Sequence, residues 1–362
     1  MWRDNVGLTV ECCEWDTVPD TLDVRGMVPW VHRDTQRLIP CEEEDFNRTL
    51  AKLGKYGYLG NGTTFQLIHV FALLRRPLSL LILLDRGADI TAKTDLGANL
   101  LHVAAAGGDV NLVQVLLERG FDVNAQIDSG RKLTPLMLAA RMGHLRVLSA
   151  LLEKEASVRE TDRDGNTALM HAAVRGHLEA VQYFLEKESN PQARNSEGWS
   201  ALHHAAEGGH TKIVSKLLDN GADINAVDGE GYSSLFRAVV NGHNEAVRIL
   251  LERGADCNLK SSGGWTALGA AVVERKVELV EIMMGYGLDT TTCVEPGGRT
   301  ASKLAIDKNI ADVQKILAKK KPPGKGKANQ LGSYMGDATA QSVKGPSHSE
   351  GKRPSYFGRK KP

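Results

Sequence analysis

The sequence predicts an all-α solenoid of helix-turn-helix units with short β-hairpin fingers, and three observations predict it. A four-residue motif returns every 33 residues: Thr134-Pro135-Leu136-Met137, Thr167-Ala168-Leu169-Met170, Ser200-Ala201-Leu202-His203, Ser233-Ser234-Leu235-Phe236 and Thr266-Ala267-Leu268-Gly269. Alanine pairs follow three of these motifs, Ala139-Ala140, Ala172-Ala173 and Ala205-Ala206, with Ala104-Ala105 upstream. A Gly-His step and then a Leu pair come next at fixed offsets. A period of this length marks one supersecondary unit stacked on copies of itself.

Each position has a physical reason. The Thr or Ser caps the first helix by accepting a backbone N–H. Pro135 suits the first helical position, where no N–H is required. The alanines let neighbouring helices approach closely. Gly143, Gly176, Gly209 and Gly242, each followed by His, end the first helix in a left-handed conformation. Leu116-Leu117, Leu151-Leu152, Leu217-Leu218 and Leu250-Leu251 turn the second helix's apolar face to the core, and Gly120, Gly221 and Gly254 end it before a polar hairpin. Glu155 and Glu188 stand where that last glycine belongs. Asn99-Leu100-Leu101-His102 opens an earlier copy, and a degenerate one lies around Ile68-His69 and ends at Gly87-Ala88-Asp89.

This pattern resembles the ankyrin-repeat family over residues 62–318, about seven to eight repeats with atypical ends. No single repeat buries its own apolar face, so stability comes from neighbour interfaces and terminal caps. Residues 1–61 form an N-terminal region, otherwise irregular, with a candidate capping helix from Glu42 to Leu53. Asn309 to Lys320 reads as the last helix.

The resemblance also implies where a partner protein lies: in the concave groove made by hairpin tips and first helices. It carries over to the residue after each finger glycine, namely Asn166, Trp199, Tyr232 and Trp265, and to the positions following the Ala pair, namely Arg141, Arg175, Glu207, Asn241 and Glu274. Trp199, Tyr232 and Trp265 recur at 33 and form a ladder suited to anchoring a partner, since aromatics bury much area at little entropic cost. The same aromatics also suit packing against the adjacent finger. The hairpin between Asn124 and Thr134 is two residues longer than its neighbours and carries Arg131 and Lys132, so it is expected to project. Asn124, Asn225 and Asn258 occupy the position that asparaginyl hydroxylases modify in some ankyrin proteins; bonding within the turn is the simpler role.

No catalytic constellation is visible: there is no GxxxxGK[ST] loop, no GxSxG and no HExxH. The expectation is a protein that is not an enzyme and uses no cofactor. His171, His203 and His204 lie close in sequence, but no Cys or carboxylate completes a metal-ligand spacing, so no metal is expected. The remaining motif histidines are expected to satisfy local backbone groups. Cys12, Cys13, Cys41, Cys257 and Cys293 form no CxxC pair, and the start, with Arg3 and Asp4, lacks a basic-then-apolar pattern; both point to a reducing compartment, the cytoplasm with the nucleus as alternative. The apolar stretch from Phe65 to Leu84 is broken by Arg75-Arg76-Pro77 and reads as two short buried helices rather than a membrane span.

The formal net charge of +1 hides an asymmetry. Residues 319–362 carry eleven Lys and Arg against two Asp and Glu, a net of +9, which leaves −8 on the preceding 318 residues. This basic tail, rich in Gly, Pro, Ser and Lys, cannot bury enough apolar surface to fold alone. It is a solvating tail, a nuclear-import signal (Lys319-Lys320-Lys321, Lys352-Arg353 and Arg359-Lys360-Lys361) or a contact for nucleic acid or an acidic membrane. The leading functional expectation is a monomeric scaffold, adaptor or inhibitor that binds a protein. The alternative is a nuclear transcription regulator whose tail serves import or nucleic-acid contact. A ubiquitin-ligase receptor ranks below both, since no ligase-recruiting box follows the repeats.

Overall fold

The computed structural model describes residues 69, 72 and 88–318 apart from 95, 129, 287 and 289. The expected capping helix and the basic tail lie outside the described residues. Of the apolar stretch from Phe65 to Leu84 only His69 and Ala72 are described, and both are helical and buried.

Among the described residues from Leu100 to Ala318, fourteen helices alternate between two layers. The first helices of the repeats are α1 (Leu100–Gly107), α3 (Pro135–Met142), α5 (Ala168–Val174), α7 (Ala201–Glu207), α9 (Ser234–Asn241), α11 (Ala267–Val273) and α13 (Ala301–Asp307). The second helices are α2 (Val110–Glu118), α4 (Leu145–Glu153), α6 (Leu178–Glu186), α8 (Thr211–Asp219), α10 (Asn244–Glu252), α12 (Val277–Gly285) and α14 (Ala311–Ala318). Each odd-numbered helix packs on its own even-numbered partner and on the next odd-numbered helix. The alanine pairs, fully buried between successive first helices, make that approach close. Leu116, Leu151, Phe184, Leu217 and Leu250 fill the space between the layers.

The caps work as the sequence predicts. Thr134 Oγ1 accepts from Met137 N–H at 3.3 Å, Ser233 Oγ from Phe236 N–H at 3.2 Å and Thr266 Oγ1 from Gly269 N–H at 3.2 Å. Glu155 (φ 62°) and Glu188 (φ 58°) do hold the left-handed conformation in place of glycine. The fingers are thinner than hairpins. Among the described residues they contain only isolated bridges, Val227 to Ser233 and Cys293 to Thr300. Most are closed by two backbone bonds, such as Asp162 N–H to Asn166 O at 3.0 Å with Gly165 N–H to Asp162 O at 3.1 Å, and Asn195 N–H to Trp199 O with Gly198 N–H to Asn195 O at 2.9 Å each.

Two histidine columns tie each repeat to its neighbours, so the expectation of purely local bonding needs correction. His144, His177, His210 and His243 bond through Nε2 to Ala106 O, Arg141 O, Val174 O and Glu207 O of the preceding repeat at 2.7–3.2 Å. The motif histidines reach forward instead. His102 Nε2 meets Ala125 O at 3.0 Å, and His203 Nε2 meets Tyr232 O at 3.2 Å, while their Nδ1 atoms accept from the capping residue's N–H. Burial pushes both His102 and His203 down to about 4, so both are neutral at pH 7. The backward-reaching ring explains the glycine before it: a Cβ on Gly143 (φ 73°) would lie 2.6 Å from the His177 ring. Where the sequence departs to Arg275-Lys276, Arg275 takes the left-handed conformation and Lys276 Nζ donates to Val239 O at 3.0 Å and to Val240 O.

Candidate protein-binding face

The finger bases decide what the first helices present. In each of three successive repeats an Asx side chain folds the finger by accepting two backbone amides, the recurrent use of a short polar side chain in turns. Asp162 Oδ1 takes Asp164 N–H at 3.0 Å and Asn166 N–H at 2.7 Å. Asn195 Oδ1 takes Glu197 at 3.0 Å and Trp199 at 2.8 Å, and Asp228 Oδ1 takes Glu230 and Tyr232 at 2.9 Å each.

The second polar atom of each Asx differs. Asp162 Oδ2 contacts His171 Nε2 at 3.0 Å and accepts from Asn166 Nδ2 at 3.1 Å. Burial pushes the Asp162 carboxyl up, but these hydrogen bonds outweigh it and hold the group below the usual carboxylate range. Asp228 Oδ2 accepts from Arg237 Nε at 3.2 Å and from Arg237 Nη2. Arg237 is only 4% exposed, and its guanidinium lies between two rings: Cζ is 4.1 Å from the Trp199 centroid and 4.8 Å from that of Tyr232. Cation–π contact and ion pairing together hold Trp199 in place. Asn195 Nδ2, by contrast, turns along the fingers and donates to Asn166 Oδ1 at 2.9 Å.

His204 occupies on α7 the place that His171 has on α5 and Arg237 on α9. Its Nε2 is enclosed and has no hydrogen-bond partner. The Trp199 ring lies against it, centroids 5.0 Å apart. Burial, then the neighbouring His203, His171 and Arg237, push His204 down to about 3, with Asp162 opposing.

The expected contact residues are placed as follows. Trp199 and Trp265 are partly exposed beside the first helices, whereas Tyr232, at 9% exposure, belongs mostly to the core and stacks on Phe236 at 4.3 Å. Asn166 is drawn into the Asp162–Asn195 relay. Arg175 is exposed and Arg141 half-buried; burial and then the Arg175 charge lower Arg141. Glu207 is half-buried. Asn241 is exposed and donates from Nδ2 to Arg237 O at 2.9 Å, and Glu274 is exposed. Arg131 and Lys132 are both exposed on the longer finger, which Arg131 O ties to Arg163 N–H at 3.0 Å. The structure therefore brings Trp199, Tyr232 and Asn166 into one network. Asn124 Oδ1 and Asn225 Oδ1 accept from Ser157 and Asp256 N–H of the next repeat at 2.8 Å each. Their side-chain bonds thus cross between turns, while the N–H groups of Asn124, Asn225 and Asn258 bond within the turn to Asp122, Asp223 and Asp256 at 2.8–3.0 Å.

Sequence reasoning passed over Asp162, Asn195, Asp228 and Arg237, and weighed His171 and His204 only as metal ligands. A signal was present: the nine-residue spacing of Asp162–His171, Asn195–His204 and Asp228–Arg237, itself repeating at 33.

Among the described residues no group of His, Cys, Asp and Glu could hold a metal ion, and no helix is long and apolar enough to cross a membrane. The two helical layers and their bridging histidines define a helical-repeat protein whose polar variety is concentrated on the finger side. The family model described as ankyrin repeats (three copies) matches overlapping segments 68–162, 101–195, 154–228, 188–261 and 235–327. The chain belongs to the ankyrin-repeat family. A search of curated proteins finds no match.

Proposed function

We propose that this chain is a non-enzymatic binding module, a scaffold, adaptor or inhibitor acting as a monomer in the cytoplasm. It holds a partner protein against the face built by the fingers and odd-numbered helices. Ankyrin repeats generally mediate protein–protein interaction. The observation that carries the reading here is the pair Trp199 and Trp265, kept partly exposed on that face. An indole held in a fixed orientation is a low-entropy anchor of the kind that dominates interface energetics. Arg141, Arg175, Glu207, Asn241, Glu274, Arg131 and Lys132 supply the surrounding polar contacts, and Tyr232 supports the anchor from within.

The double variant W199A/W265A tests this. With far-UV circular dichroism unchanged, it is expected to lose the proteins that the wild-type chain captures from a cell extract. An unchanged capture profile would remove this face as the binding surface. The alternative of a nuclear regulator rests on the +9 charge of residues 319–362. Deleting them is expected to leave partner capture intact; loss of nuclear signal or of salt-sensitive DNA retention would favour that alternative.

A further inference from the structure

The finger-side face changes sign along its length. The fingers and first helices at 124–142 and 157–175 carry six Lys and Arg against four Asp and Glu, a net of +2. The corresponding stretches at 190–208, 223–241 and 256–274 carry three against seven, a net of −4. Of the four carboxylates in the basic half, Asp128 is paired with Lys93 of the preceding finger at 2.6 Å and Asp162 is buried against His171; Glu160 is half-buried and Asp164 exposed. Arg131, Lys132 and Arg163 are exposed on adjoining fingers, which the bond from Arg163 N–H to Arg131 O ties together. The Arg163 guanidinium lies beside the turn of the longer finger, 3.8 Å from where a Cβ on Gly130 would stand. At the ends of α3 and α5, burial and then the Arg175 charge lower Arg141, so these two guanidiniums also feel one another. In the acidic half Glu197, Glu230 and Glu274 are exposed. The sign changes at the finger that carries Trp199, where Arg194 and Glu197 are both exposed.

Resting on the reading of this face as a protein-binding surface, we propose that the partner segment is acidic at one end: a run of Asp or Glu lies over Arg131, Lys132 and Arg163, and an uncharged stretch continues to Trp199. Nucleic acid fits this face poorly, since it carries a charge at every phosphate and would meet Glu197, Glu230 and Glu274. A polypeptide places its charge unevenly and matches the change of sign, which also fixes which of its ends lies over which repeats. Neighbouring repeats stand about 10 Å apart, and an extended chain advances about 3.3 Å per residue. The two repeat steps from the longer finger to Trp199 therefore correspond to about six residues between the acidic run and the side chain that packs on the indole.

The test is a selection of a phage-displayed random dodecapeptide library on the full-length protein, followed by affinity measurements on wild type and R131E/K132E/R163E. The charge-reversed finger is expected to keep its fold, because Glu155 and Glu188 already hold the left-handed conformation that Lys132 (φ 53°) adopts. Peptides selected on wild type are expected to be enriched in Asp and Glu, clustered about six residues from an apolar position. Charge reversal is expected to weaken them about tenfold or more, chiefly through the on-rate, and the difference is expected to shrink as salt is raised. R163E alone is expected to show a smaller loss in the same direction. Peptides without acidic enrichment, or acidic peptides that bind the charge-reversed protein equally well, would overturn the proposal; their weakening by W199A/W265A would leave the binding face in place. Tighter binding of a single-stranded DNA of about 20 nucleotides than of any selected peptide would overturn it in favour of nucleic acid. Recovery of no peptide would count against the binding face itself, and the proposal would fall with it.

Discussion

The finger bases at Asn195 and Asp228 are the same turn with a different terminal group. Each Oδ1 accepts the amides two and four residues ahead, and the corresponding distances in the two fingers differ by 0.1 Å. Asp228 then neutralises Arg237, which braces Trp199 and Tyr232; Asn195 looks away and leaves His204 unpaired. The repeat frame thus tolerates either residue, and the difference is felt only on the finger-side face. In a family where fold does not name function, such differences inside a constant frame are where specificity resides.

The comparison breaks most sharply at Asp228. D228N copies the Asn195 finger but takes from the buried Arg237 guanidinium its carboxylate partner at the finger base, leaving the exposed Glu230 carboxylate at 3.8 Å. Breaking a buried pair from one side costs on the order of 3–5 kcal/mol, read as a lower chemical-denaturation midpoint. The double variant D228N/R237H copies the neighbouring repeat completely and is expected to recover most of that loss. A D228N protein as stable as wild type would show that the Arg237 pair is not what holds this base.

The frame itself is tested at its glycines. Gly143→Ala meets both a left-handed backbone (φ 73°) and the His177 ring, whereas Gly221→Ala (φ 80°) has open space around the added methyl. The second is expected to cost about 1 kcal/mol, the conformational penalty alone, and the first to cost clearly more. Equal losses would mean that the histidine bridges yield easily. The reverse substitutions E155G and E188G are each expected to stabilise by about 1 kcal/mol, since both glutamates are exposed and left-handed.

The frame and most of its stability were legible in the sequence, because caps, helix-ending glycines and apolar pairs act locally and recur at 33. What was not legible involves contacts between repeats. The backward reach of His144 to Ala106 and the relay from Asp162 through Asn166 to Asn195 depend on how repeats stack, which no single period reveals. Tyr232 illustrates the limit. Its position in the period equals that of Trp199 and Trp265, yet Phe236 and Arg237 draw it inside.

A further expected effect is in pH dependence. His102, His203 and His204 are pushed down by burial to about 4, about 4 and about 3. The unfolded chain takes up protons at these residues below an ordinary value near 6.5 while the folded chain does not, so stability falls as pH drops from 6.5 toward 4. In N195D the new carboxylate favours the charged imidazole, the His204 share of that loss shrinks, and the decline becomes shallower than in wild type. Parallel declines in the two proteins would contradict this.

The most direct measurement is therefore an NMR titration of the His204 imidazole in both proteins. In wild type, held down to about 3, it is expected to show no titration between pH 8 and pH 5. In N195D its midpoint is expected to move up toward the ordinary histidine value of about 6.5. Identical titration curves would contradict the claim that the finger-base residue decides whether the buried polar group of the first helix is paired or left without a partner.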